Sequence, residues 1–248
     1  MAEDYKSYRE KVEIQGGICD MAGQWRMSAI LNTFQEVAEG QCKGLGCGWT
    51  ALREKGLAWV VIQNEVQMLR YPRITEQVQV ETWAGKCRHA FFPRYYEIKG
   101  MDGTLLGQAS SMWVLYDLKE GKMGDPAAVK GLVPENTERR SGLLPGKIER
   151  PEGGSYREMK YMPLYSHMDA NGHVNNTRYV DIFCDAIGLQ AFWEARIEDI
   201  IIHYNEQVLP ETELTLGIWQ EGNLYRMTGQ HGEKIMFEIG CRMGPSVE

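Results

Sequence analysis

One order of elements runs through this chain twice, and that narrows the folds open to it. A helical segment from about Met27 to Glu39 places Met27, Ile30, Leu31, Phe34, Val37 and Ala38 on one face. Four strand-like runs follow it: WVVIQNEVQML, QVQVETWAG, FFPRYYEIKG and LLGQASSMWVLYDL, with a hairpin turn predicted at Met101-Asp102-Gly103. A second helix is predicted to start near His173, with Val180, Phe183, Ala186 and Ile187 as its apolar face and Gly188 as its stop. Four more runs come after it, EDIIIHYNEQV, TELTLGIWQ, NLYRMTGQHG and KIMFEIGCRM, with turns at Glu221-Gly222-Asn223 and His231-Gly232-Glu233. The halves also align residue by residue in two places. Asp20-Met21-Ala22-Gly23-Gln24 falls on Asp169-Ala170-Asn171-Gly172-His173, and the segment from Glu76 to Trp83 falls on that from Thr212 to Trp219. The first copy is the longer between these points, its surplus lying around the Gly-rich GQCKGLGCGW. A helix followed by an antiparallel run of strands, made twice, is an α+β architecture.

Three segments are expected: residues 1–125 as the first unit, 126–153 as a linker rich in Gly, Pro and charge, and 154–248 as the second unit. No stretch approaches the roughly 18 consecutive apolar residues of a membrane span. With 25% charged residues and a mean hydropathy of -0.41, a soluble protein is expected. The start MAEDYKSYRE lacks the apolar core of a secretory signal, so the expected location is cytoplasmic. A net charge of -7 argues against nucleic acid or an anionic membrane as the main partner, since both call for a dominant positive field. The six cysteines show no repeated short spacing and are read as free thiols. Cys42 and Cys47 stand close together, but no second Cys or His pair near them completes a zinc site. No metal ion and no cofactor is expected.

The segment SHMDANGHVNNTRYVDIF holds the candidate chemistry. A helix start offers unpaired N–H groups and the positive end of a dipole, which stabilise a developing oxyanion. Capping alone would explain one Asp and one Asn there. It leaves His173, Asn175 and Asn176 without a reason. Further on, alternation puts Ile200, Ile202, Tyr204 and Glu206 on one strand face, so Glu206 sits either at the rim of the core or facing a functional cavity.

These residues resemble those of the acyl-[acyl carrier protein] thioesterases of bacteria and plant plastids. The resemblance covers the whole chain. It rests on Asp-x-Asn-x-His at Asp169, Asn171 and His173, followed by Val174-Asn175-Asn176, with Glu206 some thirty residues on. It implies a double (tandem) hotdog fold, each repeat a long helix wrapped by a curved antiparallel sheet. It also implies hydrolysis of acyl thioesters with acyl carrier protein as the partner, the first repeat supplying much of the acyl tunnel through Met27, Ile30, Leu31 and Phe34. The implied catalytic set is Asp169, Asn171, His173 and Glu206. Asn171 and backbone N–H groups near Gly172 and His173 would hold the thioester oxygen. Asp169 would act as general base or attack directly, while His173 and Glu206 position water and shuttle protons. Many plant members carry Cys directly after the Glu; here Gln207 stands there, which leaves a cysteine nucleophile no residue at that place. The first copy matches Asn171 with Ala22, His173 with Gln24 and Glu206 with Arg70, so one active site per chain is expected.

The rival readings are an acyl-CoA thioesterase of the same fold, a hotdog hydratase, and a non-catalytic acyl-thioester sensor. The sensor should lack the acid/base set and carry a basic extension, and the chain shows neither. An acidic carrier would need a local positive patch, for which Arg53, Lys55, Lys86, Arg88, Arg139 and Arg140 are the candidates. The oligomeric state, a homodimer included, stays open.

Overall fold

The computed structural model describes residues 6–139, 143, 146–148, 152–193 and 195–245. Arg140 lies outside them. The chain forms two compact units, Met1–Ile62 with Leu69–Pro145, and Gln63–Met68 with Gly146–Glu248.

In the first unit, β1 (Tyr8–Glu13) is followed by α1 (Met27–Gly44), α2 (Trp49–Arg53), β2 (Leu57–Met68), β3 (Gln77–Ala84), β4 (Phe92–Gly100), β5 (Leu105–Asp117) and the short β6 (Lys122–Met123). Its strands run in the order β1-β3-β4-β5-β2, with β6 on β5. Helix α1 forms because apolar residues recur at helical spacing: Met27, Ile30, Leu31, Phe34, Val37 and Ala38 are all buried. It packs against β3 and β1, and Phe34 stacks on Tyr96 of β4 with ring centroids 4.5 Å apart. It runs past the predicted end because Gln41 and Cys42 are buried too. The Gly-rich surplus of the first copy therefore becomes the last turn of α1, a left-handed stop at Gly46 (φ 73°) and helix α2.

The second unit takes the last half of β2 and adds β7 (Ser155–Tyr161), α3 (Arg178–Ile187), β8 (Ala195–Tyr204), β9 (Leu214–Glu221), β10 (Leu224–His231) and β11 (Lys234–Pro245). Residues Gln63 to Gln67 pair antiparallel with His203 to Asp199, and the order continues β8-β11-β10-β9-β7. Helix α3 buries Tyr179, Val180, Ile182, Phe183 and Ala186. Tyr179 meets Phe237 of β11 edge-on at 4.7 Å, and the Phe237 ring lies over Gly229 on β10, where no Cβ stands in its way. The helix stops at Gly188, whose φ of 90° ends the helical path.

Element for element the two units have the same plan, β1-β3-β4-β5-β2 in one and β7-β9-β10-β11-β8 in the other. Both predicted alignments reappear as hydrogen bonds. Trp25 N–H donates to Pro72 O at 2.8 Å and Val174 N–H to Val208 O at 2.9 Å; Arg26 N–H donates to Ile18 O and Asn175 N–H to His167 O. The predicted turns at Met101-Asp102-Gly103, Glu221-Gly222-Asn223 and His231-Gly232-Glu233 are present. Among the described residues no helix is long and apolar enough to cross a membrane.

The stretch 126–153 is held at several points. Val129 joins a core cluster of the first unit, Arg139 lies on Glu81 and Trp83, and in the second unit Gly146 N–H donates to Glu65 Oε2 at 2.6 Å.

Candidate active site

The segment expected to open the second helix is a tight loop ahead of it. Helix α3 begins at Arg178, not near His173. Residues Met168 and Val174 bridge across the loop, Asp169 N–H donates to His173 O at 3.0 Å, and Gly172 N–H donates to Asp169 O at 3.1 Å. Gly172, at φ 81°, supplies the left-handed step that this turn requires. Asn175 shapes the turn into the helix: its side-chain oxygen accepts from the N–H of Thr177, the N-cap residue, at 2.9 Å and from Thr177 Oγ1 at 2.8 Å. The polar residues at the helix start thus divide their work. Asn175 satisfies the chain, and Asp169, Asn171 and His173 form a group of their own.

In that group Asp169 Oδ1 accepts from Asn171 N–H at 2.8 Å and Oδ2 lies 3.3 Å from Asn171 Nδ2. His173 Nδ1 is 3.7 Å from Asp169 Oδ2. The Asp169 and His173 side chains are 18% and 24% exposed, so solvent-borne groups reach both. Behind them Tyr179 is pushed up to about 12 by burial; the nearby Val208 N–H works against the shift, and the Asp169 charge adds to it. Tyr204 is raised as well, by burial above all. Its hydroxyl donates to Asn176 O at 2.9 Å and accepts from Asn64 Nδ2 at 3.0 Å, which ties the Val-Asn-Asn segment to β8 and β2 within the second unit. Nothing in the sequence marked Tyr179, Tyr204 or Asn64 as part of this framework, since each reads as ordinary strand or helix packing.

The first copy makes a sharp comparison. Asp20 stands where Asp169 does, with the same backbone bonds, Asp20 N–H to Gln24 O and Gly23 N–H to Asp20 O. Its Oδ1 accepts from both Ala22 N–H at 2.8 Å and Gln24 N–H at 3.0 Å. In the second copy the corresponding His173 N–H has no acceptor among the described residues, because the Asp169 carboxylate is turned to the Asn171 side chain. The second loop therefore presents a spare backbone donor beside an amide, a carboxylate and an imidazole. A backbone N–H and an amide are groups of the kind that stabilise a developing oxyanion.

Glu206 lies just past the end of β8, at the exposed rim. Ile200 and Ile202 are buried on the predicted face, but β8 ends at Tyr204. Asn205 and Glu206 then both direct their N–H groups to Met236 O, at 2.9 and 3.0 Å. This doubled bond breaks the alternation, as a bulge does. The Glu206 side chain is 53% exposed and faces Lys234 Nζ at 3.7 Å. It forms no hydrogen bond or ion pair with Asp169, Asn171 or His173. Its loop is nevertheless fastened beside theirs, through Val174 N–H to Val208 O. Arg70 repeats the arrangement in the first copy, where Leu69 and Arg70 both donate to Leu106 O, and its guanidinium pairs with Glu76 at 2.9 Å.

Among the described residues no His/Cys/Asp/Glu group is arranged to hold a metal ion. His167 Nδ1 accepts from Leu164 N–H at 3.1 Å, which commits that nitrogen to the backbone.

The family profile described as "Acyl-ACP thioesterase N-terminal domain" matches residues 5–126, and that described as "Acyl-ACP thioesterase C-terminal domain" matches residues 152–239. The chain is 25% identical over 203 residues to a dodecanoyl-[acyl-carrier-protein] hydrolase of Cinnamomum camphora, covering 75% of this chain and 52% of the relative. It is 24% identical over 227 residues to oleoyl-acyl carrier protein thioesterase 1 of Arabidopsis thaliana, covering 84% and 62% respectively. It thus spans between half and two thirds of the length of these relatives. The crystal structure of an acyl-ACP thioesterase from Bacteroides thetaiotaomicron superposes with a TM-score of 0.82 at 20% identity, over 98% of this chain and 100% of the other, and so has the same fold.

Proposed function

Because the chain belongs to the acyl-ACP thioesterase family, we propose that it hydrolyses the thioester of an acyl chain on acyl carrier protein and releases the free fatty acid. The observation that carries the reading is the contrast between two equivalent loops: Asp20 spends its carboxylate on Gln24 N–H, whereas the His173 N–H is left for a ligand. In this reading the fold is a tandem of two hotdog repeats. The first (residues 1–125) serves acyl-chain binding and the second (154–248) carries the chemistry, with 126–153 joining them.

The thioester oxygen is received by the His173 N–H and the Asn171 side-chain amide. Asp169 draws a proton from water as that water attacks the carbonyl carbon, or attacks the carbon itself to form a mixed anhydride that water then hydrolyses, and His173 carries a proton to the departing sulfur. The carbon–sulfur bond breaks, the carrier leaves as a thiol and the acyl group leaves as a carboxylate. Glu206 orders water from the neighbouring loop. Six free thiols support a reducing, cytoplasmic setting.

The test is release of free fatty acid by the purified protein from acyl carrier protein loaded with acyl chains of graded length, beside the matched acyl-CoA series. Faster turnover of the carrier-bound series is expected. Release from CoA alone would make the chain an acyl-CoA thioesterase, and release from neither would refute the hydrolase reading.

A further inference from the structure

At the end of α1 in the first unit, two cysteines meet a buried cation. Arg94, on β4, is 6% exposed. Its Nη1 donates to Gln41 Oε1 at 2.6 Å and to Thr82 Oγ1 at 3.2 Å, and its Nη2 to Cys42 Sγ at 3.5 Å. Among the described residues it bonds to no carboxylate. Glu39, the nearest acid by sequence on α1, gives both carboxylate oxygens to Trp49 N–H, at 2.9 and 3.1 Å. A buried guanidinium requires a counter-charge. The group beside it that can supply one is the Cys42 sulfur, as a thiolate.

Cys47 is fully buried in the same apolar cluster as Cys42. The neighbouring Cys47 thiol lowers Cys42 most; burial opposes it, Arg94 adds to it and Glu39 works against it, leaving Cys42 below the ordinary thiol range, while Cys47 is raised. The backbone holds the two together. Cys47 N–H donates to Cys42 O at 2.9 Å, past the left-handed Gly46, and Trp59 Nε1 donates to Cys47 O at 3.0 Å. The direct backbone bond keeps the two residues within the span a disulfide bridges. Around them Leu52, Leu57, Phe92, Leu115 and Val129 form an apolar cluster.

We propose that Cys42 and Cys47 form an oxidisable dithiol in which Cys42, paired with Arg94, is the attacking sulfur toward a small peroxide and Cys47 closes the disulfide. The Cys42 thiolate attacks one peroxide oxygen, the O–O bond breaks and hydroxide leaves, giving a sulfenic acid. The Cys47 sulfur then attacks the Cys42 sulfur and gives up its proton. The S–O bond breaks and water leaves. Two thiols have lost two hydrogens, and one peroxide has become two waters.

The test exposes the folded full chain to graded hydrogen peroxide, alkylates remaining thiols after denaturation, and maps all six cysteines by mass spectrometry. A peptide two hydrogens lighter, linking Cys42 to Cys47 and restored by dithiothreitol, is expected at doses that leave Cys19 and Cys241 alkylatable. In Cys47→Ser, dimedone should trap Cys42 as its sulfenic acid; in Cys42→Ser, Cys47 should stay unlabelled. Arg94→Lys should slow disulfide formation about tenfold if it folds. The proposal is overturned if Cys42 and Cys47 are both alkylated at doses that oxidise Cys87 and Cys184. Cys47 labelling in Cys42→Ser as strongly as Cys42 labels in Cys47→Ser would also overturn it.

Discussion

Glu81 shows how far a single residue's setting can depart from what its sequence neighbours suggest. Its side chain is 4% exposed, and Arg139 grips it with two bonds, at 2.6 and 2.9 Å, while stacking over Trp83 at 3.5 Å. Burial alone would raise the Glu81 carboxyl, but bonds from Arg139, Ser7 and Arg9 outweigh it and bring it from 4.5 to about 2. A carboxylate held lower in the folded state contributes stability that is complete above the unfolded value and is lost as pH falls toward 2. The shift corresponds to about 3 kcal/mol. Arg139→Ala leaves Arg9 and Ser7 on Glu81 and should therefore cost only part of this, about 1–2 kcal/mol at pH 7, and that deficit should shrink as pH drops from 4.5 toward 2. Denaturant midpoints at several pH values check this; a deficit constant with pH would contradict it. Arg139 was read from sequence as a surface charge for docking. Its partner Glu81 lies far back in the chain, and no local pattern announces such a pair. The exposure of Glu206 was hidden for a similar reason: alternation sets it on the core face, at the rim or toward a cavity, and the doubled bond to Met236 O turns it out.

Among the elements, helix and strand existence was legible because periodicity of burial is written directly into residues such as Ile30, Phe34, Ile200 and Ile202. The start of α3 was not. The polar run from Asp169 to Asn176 has the composition of a helix cap, and only non-local bonds, above all Val174 N–H to Val208 O, hold it as a loop. Packing between elements sets a further test. At Gly229 an added Cβ would collide with three atoms of the Phe237 ring, with Cδ1 at 2.7 Å. That ring is fully buried and already wedged against Tyr179. Overpacking of this kind costs about 1–3 kcal/mol, so Gly229→Ala should lower Tm by about 5 °C. An unchanged Tm in a calorimetric scan would show that β10 and β11 have slack this account denies them.

For the whole molecule, a net charge of -7 means that an acidic carrier must be met by a local cationic surface. Arg53, Lys55, Lys86 and Arg88 are exposed, whereas Arg139 is occupied by Glu81 and Glu97. Reversing Arg53 with Lys55, or Lys86 with Arg88, should raise KM for the carrier-bound substrate and leave small acyl thiols unaffected; if neither pair does so, docking lies elsewhere. The duplication was the most legible property of the chain, because both alignments could be read from side chains alone. What sequence could not supply was how the two Asp loops differ in their hydrogen bonds. Asp20 and Asp169 occupy equivalent turns, yet only the second leaves a backbone donor unspent. The most direct test compares Asp20→Asn with Asp169→Asn, both verified as folded, for turnover of an acyl-carrier thioester. Asp169→Asn should lose about 100-fold to 10,000-fold in kcat, whereas Asp20→Asn should lose on the order of 1 kcal/mol of stability and keep its turnover. Equal loss of turnover in both, or full turnover in Asp169→Asn, would contradict a single active site built on the second loop.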